Sequence, residues 1–369
     1  MADPRPYEKL LSLADLLTPS AIRAAATLGV ADHIQAGATT SAGIARAADA
    51  QPDVMDALLR HLTDIGLLSA TGGDDREGGG DGGERHFALT PLGEPLLTDH
   101  PTGLRRVLRN DSMIGWGAQS LLRLDHTVRT GEPAHAAVPG GGYWETVNND
   151  PSFTAEWAEQ ALTADAAQDQ PLAWGAQHIV EDYDWSGVGT VADVGGHLGA
   201  ILIGLLRAHP DLRGTLVDLR HVAEQAGARF ARSDVADRAT AVVGSFFDPL
   251  PKGFDVYLLS AILADWSDDD AVRILERCRE AAGRDGKVLL ADVAMPTGGP
   301  AVELQYRSMM PAPSRSVTDL ERLCDRAGFD ITWRGPVQGP RSLVELTPRP
   351  GPVTPESADA YRERGGDRG

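Results

Sequence analysis

Apolar residues recur at helical spacing through the first third of the chain. Leu10, Leu13, Leu16 and Leu17 do so first, then Ile22, Ala25, Ala26 and Val30, so residues 8–35 are predicted to be helical. Two shorter helices follow at 41–48 and 53–66, the second with Val54, Leu58, Leu59, Leu62 and Ile65 along one face. The stretch GGDDREGGGDGGE at 72–84 is too polar and glycine-rich to bury anything and reads as a flexible loop. His86-Phe87-Ala88-Leu89-Thr90 resumes as a short strand. Helix, helix, strand, loop, strand is the outline of a winged helix. Residues 101–175 read as mostly helical, with Trp116, Trp144, Trp157 and Trp174 spread along them and Gly140-Gly141-Gly142 as a break. From residue 188 the pattern changes. VGTVADVG, GTLVDL, ATAVVGSF, FDVYLLSAI and KVLLADVAM are apolar runs of strand length with amphipathic stretches between them. That alternation predicts an α/β domain built on a doubly wound parallel sheet. The tail from Pro348 is rich in Pro, Gly and charge and is expected to be disordered.

Composition narrows the class. At 369 residues two domains are the natural division, and 42% apolar with 24% charged residues supports a real core. A net charge of -19 argues against a general nucleic-acid binder, because phosphate contacts need clustered positive charge. The second helix of the winged-helix outline is itself acidic on its open side (Asp53, Asp56, Arg60, Asp64), which favours a packing or dimerisation module over a DNA reader. Cys278 and Cys324 are too few for a disulfide framework or a zinc cluster and read as buried thiols. No apolar run approaches the length of a membrane span, and MADPRPYEKL lacks a signal core, so a cytoplasmic protein without membrane contact is expected.

Candidate chemistry begins where Thr190–Val194 runs into Asp193-Val194-Gly195-Gly196-His197-Leu198-Gly199 and then into a helix. Glycines between a first strand and its helix let a ligand approach the backbone, and Asp218, ending the next strand, is placed to accept hydrogen bonds from ribose hydroxyls. Asp193-Val-Gly-Gly, HPDLRGTLVDL, GSFFDPLP and AILADWSDDDAVRILERC, in that order, resemble the plant-type, caffeate-like O-methyltransferases and their bacterial natural-product relatives. The resemblance spans residues 8–346. It implies a homodimer that binds S-adenosylmethionine in a Rossmann-like domain and methylates a hydroxyl of a small aromatic or polyketide-like substrate. It also implies four parts: a helical, winged-helix-like dimerisation domain (1–100), a helical linker and substrate-pocket region (101–175), the Rossmann-like cofactor domain (176–347) and the tail (348–369). Residue by residue, it sets Asp193, Gly195, Gly196 and Gly199 around the methionine part of the cofactor. Asp218 falls at the ribose, Ser245 and Phe246 near the adenine, and Ser260 on the methionine side.

The departures bear on mechanism. His197 replaces the middle glycine of the family's Gly-x-Gly-x-Gly set, and its plain reading is a loop histidine facing solvent. The family's His-Asp-Trp base motif reads Ala264-Asp265-Trp266, its first acidic helper matches Asp292, and its second matches Ser314. The histidine base and one helper are therefore gone. Asp265 is a candidate substitute base, with capping of the next helix as its structural reading, and Asp292 is a candidate catalytic acid at a strand end. Arg307 is a candidate fork for a substrate anion if it points into the pocket, or a surface residue if it does not. Tyr306, Met309, Met310, Trp116 and Trp157 are candidate pocket walls. The leading expectation is methyl transfer from S-adenosylmethionine without a histidine base, to a substrate already ionised or acidic, by proximity. The alternative is the same fold turned to a non-methylating reaction, such as decarboxylation, hydroxylation, cyclisation or rearrangement, with S-adenosylmethionine structural or absent.

Overall fold

The computed structural model describes residues 6–72, 84–134, 142–150, 152–153, 155–156, 176–293, 299–336 and 341–349; Val293 and Arg341 are described as backbone only. The glycine-rich loop at 73–83, the break at 140–141, Trp157, Trp174 and the tail beyond 349 lie outside them. The chain divides into two compact units, Met1–Leu122 and Arg123–Gly369.

In the first unit α1 (Pro6–Leu13) and α2 (Leu17–Thr27) lead to α3 (Val30–Gln35), entered through Gly29 at φ +66°. α4 (Ser41–Ala47) starts at Thr40, whose hydroxyl accepts the Gly43 N–H, and α5 (Pro52–Asp64) starts with proline, which has no N–H to leave unpaired. The apolar face of α5 buries Met55, Leu59 and Leu62 against Ile44 of α4 and Phe87 of the hairpin β1 (Leu68–Thr71)/β2 (His86–Leu89). The winged-helix outline is thus present, with α6 (Leu104–Leu108) and α7 (Met113–Ala118) after it.

The second unit opens with α8 (Leu124–Thr130), α9 (Tyr143–Asn149) and α10 (Gln177–Glu181). Its sheet comprises β3 (Thr190–Val194), β4 (Arg213–Asp218), β5 (Ala239–Val243), β6 (Val256–Ser260), β7 (Lys287–Val293), β8 (Phe329–Arg334) and β9 (Arg341–Pro348), in the order β5-β4-β3-β6-β7-β9-β8. Five helices cross between strands: α11 (Ala200–Ala208), α12 (Arg220–Phe230), α13 (Asp268–Ala282), α14 (Gly299–Met309) and α15 (Val317–Arg326). The central strands are apolar on both sides because both faces are covered. Ala192, Tyr257, Leu259 and Val288 join the core under α13 and α15, while Val191, Val256, Leu258 and Leu289 join the core under α10, α11 and α12. Cys278 and Cys324 are buried in the first of these cores as unbridged thiols, and burial pushes both up to about 12.

One feature departs from the sequence reading. The sheet is parallel only from β5 to β7; β9 and β8 add an antiparallel pair beyond it. The reversal follows from the short connection between them, since a parallel pair needs a crossover of a dozen residues or more. The chain steps from β3 out to β4 and β5, then returns to β6 on the other side of β3. The carboxyl ends of β3 and β6 therefore flank the point where the winding reverses, the place where open sheets of this kind bind ligands.

Candidate active site

The turn after β3 is shaped by what it excludes. Gly195 has φ +73°, and a Cβ there would lie 2.6 Å from Ile262 Cδ1. A Cβ on Gly196 would sit 2.3 Å from a carboxylate oxygen of Asp193, and one on Gly199 would be 2.4 Å from the Phe230 ring. Asp193 is fully buried at the end of β3 beneath this turn. His197 lies between the glycines at φ +54°, a left-handed conformation that costs a side-chain-bearing residue energy. The turn is tied to the end of β4, where Asp218 Oδ2 accepts the His197 N–H at 2.9 Å and Asp218 Oδ1 accepts the Leu219 N–H at 2.7 Å. Burial raises the Asp218 carboxyl to about 6 against these two bonds. The His197 side chain is half-buried, not fully exposed as its plain reading has it. It lines the cavity described next, and burial, with Arg229 and His221 nearby, lowers it to about 4, leaving a neutral imidazole at neutral pH.

A cavity of about 450 Å³ opens at the winding reversal. Its walls bring together Gly195, Asp218, Ser245, Phe246, Ser260 and Asp265 from the residues singled out in sequence. Trp144, Glu145 and Asn148 of α9 also line it, as do Ile262, Phe247 and Trp266. These six were not singled out as site residues. The α9 residues carry no motif, and only the fold brings their helix to the strand ends. Phe246 and Phe247 meet Trp266 edge-on, with centroids 5.6 and 4.8 Å apart. Ala261, which follows Ser260 on the wall, is a second non-glycine residue at positive φ, +55°.

The Ala264-Asp265-Trp266 segment forms a single 3₁₀ turn, Leu263–Asp265, after β6. Arg315, almost fully buried, clamps this segment. It donates to the carbonyls of Leu263 and Trp266 and to Asp268 Oδ1, the last two at 2.7 and 2.8 Å. Asp265 does not cap α13; Ser267 does, accepting the Asp270 N–H at 3.2 Å. Instead, Asp265 Oδ1 accepts a hydrogen bond from the Tyr306 hydroxyl of α14. Burial, followed by the charge of Asp292, raises the Asp265 carboxyl to about 7, while Tyr306 and Trp144 act in the opposite direction. Burial and the facing Asp265 hold the Tyr306 phenol well above its usual range.

The remaining candidates are spread around this centre. Asp292 is fully buried near the end of β7. Met309 and Met310 are buried at the end of α14. Arg307 does not line the large cavity. It borders a separate small cleft together with Ala264, Tyr306 and Ser314, where there is room for about one water, and it makes no hydrogen bond or ion pair among the described residues. Two of the positions at which the chain departs from the family pattern, Ala264 and Ser314, thus meet at one place. Trp116 is half-buried on α7 of the first unit. Among the described residues no cluster of His, Cys, Asp and Glu has the makings of a metal site, and no helix is long and apolar enough to cross a membrane.

Comparison with known proteins adds independent findings. Residues 122–330 match the model of the O-methyltransferase domain, and residues 11–99 match that of the O-methyltransferase dimerisation domain. The chain is 42% identical over 340 residues to 2,7-dihydroxy-5-methyl-1-naphthoate 7-O-methyltransferase of Streptomyces carzinostaticus, covering 92% of this chain and 97% of that one. It is 39% identical to aclacinomycin 10-hydroxylase of Streptomyces purpurascens, covering 87% and 84%. Among solved structures it resembles the O-methyltransferase of neocarzinostatin biosynthesis in complex with S-adenosylmethionine and 2-hydroxy-5-methyl naphthoic acid. The TM-score is 0.78 at 40% identity, covering 94% of this chain and all of that one.

Proposed function

The chain belongs to the S-adenosylmethionine-dependent O-methyltransferase family of natural-product biosynthesis, and from that premise we propose that it methylates a hydroxyl of a small aromatic acid of the naphthoate kind. The observation that carries this reading is the cavity at the winding reversal. It is bounded by a glycine-rich turn, where Gly195 has no Cβ to meet Ile262 and His197 completes the wall, and by a strand-end carboxylate, Asp218. A volume near 450 Å³ falls in the range of small-molecule sites, about 300–1,000 Å³.

The residues present fit S-adenosylmethionine. Asp218 accepts one N–H on each carboxylate oxygen and keeps lone pairs for ribose hydroxyls. Phe246, braced by Trp266, offers an aromatic face for the adenine, with Ser245 beside it. Gly195 and Ser260, which line the cavity, would flank the methionine part, with Gly196, Gly199 and the buried Asp193 shaping the turn that holds it. When bound, the cofactor supplies an electrophilic methyl group on a sulfonium sulfur. The protein's own part is to orient the acceptor oxygen, exclude water and take up a proton. Arg307 borders the small neighbouring cleft rather than the cavity, so it is proposed as an anchor for a substrate carboxylate only from beside Tyr306, where its guanidinium has no partner among the described residues. Tyr306, Met309 and Met310 are proposed walls of the substrate site, and Asp292 sets the charge around them; Trp157 lies outside the described residues, and Trp116 belongs to the first unit.

The same reading includes a homodimer. It is supported by the dimerisation-domain match and by Leu10, Leu11, Leu13, Leu16 and Leu17, all more than half exposed around α1. It keeps the four-part division at 100, 175 and 347. The two unbridged thiols suit a reducing, cytoplasmic compartment.

A second reading has one observation in its favour: a relative 39% identical to this chain is named a hydroxylase. Together with Ala264 in place of the histidine, it supports a non-methylating reaction in the same cavity. Turnover with S-adenosylmethionine and a panel of hydroxylated naphthoic acids separates the two. Methyl transfer is expected to release S-adenosylhomocysteine in step with a methylated product. A substrate that changes while the cofactor is not consumed supports the second reading.

A further inference from the structure

We propose that Asp265 is the proton acceptor for the substrate hydroxyl, with Tyr306 as the residue that positions its carboxylate. The proposal rests on the methyl-transfer reading and adds to it the group that takes the proton once the imidazole is lost at position 264. Three observations lead to it. Asp265 is a carboxylate in the cavity wall at the winding reversal, one residue from the position where the family's base stands. It occupies a turn that Arg315 clamps on both sides, through the carbonyls of Leu263 and Trp266, so its backbone is fixed. Its Oδ1 accepts the Tyr306 hydroxyl from a different helix, and the Trp144 side chain also bonds the carboxylate, so two donors orient a group whose remaining lone pairs face the cavity.

The surroundings of Asp265 suit a base near neutral pH. From α9 it is faced by Trp144 and Tyr143, from α14 by Tyr306 and from β7 by Asp292, with Glu145 on the same cavity wall. Burial and the Asp292 charge make Asp265 a better proton acceptor than an exposed aspartate, and the Tyr306 bond keeps its ionised form populated. The acceptor O–H bond breaks toward the Asp265 carboxylate as the new O–C bond forms. The C–S bond of the sulfonium breaks, and sulfur keeps the pair as a neutral thioether. The carboxylate and the sulfonium lose their charges together, and Asp265 returns its proton to solvent on product release.

The test compares D265N with the wild type on two acceptors of the same ring system. One has a weakly acidic phenol; the other has a nitro group that ionises the phenol at the assay pH. General-base loss is expected to lower the rate on the weakly acidic acceptor by about 100-fold or more, and the loss on the ionised acceptor to be at least tenfold smaller. Calorimetric binding of S-adenosylhomocysteine checks that D265N is folded. If it is not, Y306F carries the test, because the rising limb of its rate–pH profile is expected to move to higher pH as Asp265 loses its positioning bond. Equal losses on both acceptors, or an unmoved profile in Y306F, overturn the proposal. A wild-type enzyme that methylates neither acceptor while converting one of them overturns the methyl-transfer reading, and this proposal with it.

Discussion

His197 holds a left-handed backbone conformation, φ +54°, in the turn after β3 and lines the cavity there. A histidine in a glycine loop reads as a solvent-facing side chain. Here the loop's left-handed φ turns the ring toward the cavity, where burial keeps it neutral. No local pattern encodes that direction, because it depends on where β4 and α12 close over the loop. The consequence for stability has a definite sign. An unfolded histidine takes a proton near pH 6.5, whereas the folded one resists until about pH 4, so acid favours unfolding across that interval. Asp218 and Asp265, with raised carboxyls, act in the opposite direction, since their protonation in the fold is favoured. The informative comparison is therefore wild type against His197→Gln. Between pH 7 and pH 5 the wild type is expected to lose on the order of 2 kcal/mol more stability than the variant, read from urea midpoints. Equal losses would mean that His197 is hydrated in the folded protein. The backbone offers a second test. His197→Gly is expected to fold, whereas His197→Val, β-branched at positive φ, is expected to be about 1–2 kcal/mol less stable than His197→Gly in urea unfolding.

At the scale of elements, the parallel strands were legible because each is a short apolar run buried on both faces. The Asp193-to-Gly199 turn was legible because glycine is needed where Gly195 meets Ile262 and Gly199 meets Phe230. The β8–β9 pair was not, because β8 is an edge strand that alternates buried or half-buried residues with exposed ones and carries a bulge at Ile331/Trp333. The clamp on the 263–268 turn was also hidden. Arg315 is 52 residues from Leu263 in sequence, and it stands next to Ser314, where the family's second acid belongs. A buried guanidinium that satisfies two carbonyls and a carboxylate is costly to remove. Arg315→Ala is expected to lose about 3 kcal/mol or more in urea unfolding, and Arg315→Lys to recover little of it, because an ammonium lacks the planar fork. A variant of wild-type stability would show that the turn holds without the clamp.

At the scale of the molecule, the ordered motifs were enough to identify a two-part chain with a methyltransferase domain. Both family models and the solved relatives agree with that. Much of the site was legible too, since Gly195, Asp218, Ser245, Phe246, Ser260 and Asp265 share one cavity. The chemistry was less so. The Tyr306–Asp265 bond joins residues 41 apart, and the cleft where Ala264, Ser314, Tyr306 and Arg307 meet exists only in the folded chain. In the proposed function, this cavity moves a methyl group even though the histidine base is missing. The most direct measurement follows S-adenosylmethionine carrying a deuterated methyl group through turnover with a hydroxylated naphthoic acid, by mass spectrometry of the product. The expected result is the intact labelled methyl on the product oxygen, matched one for one by S-adenosylhomocysteine. A product that forms without the label, with the cofactor recovered unchanged, would contradict the claim.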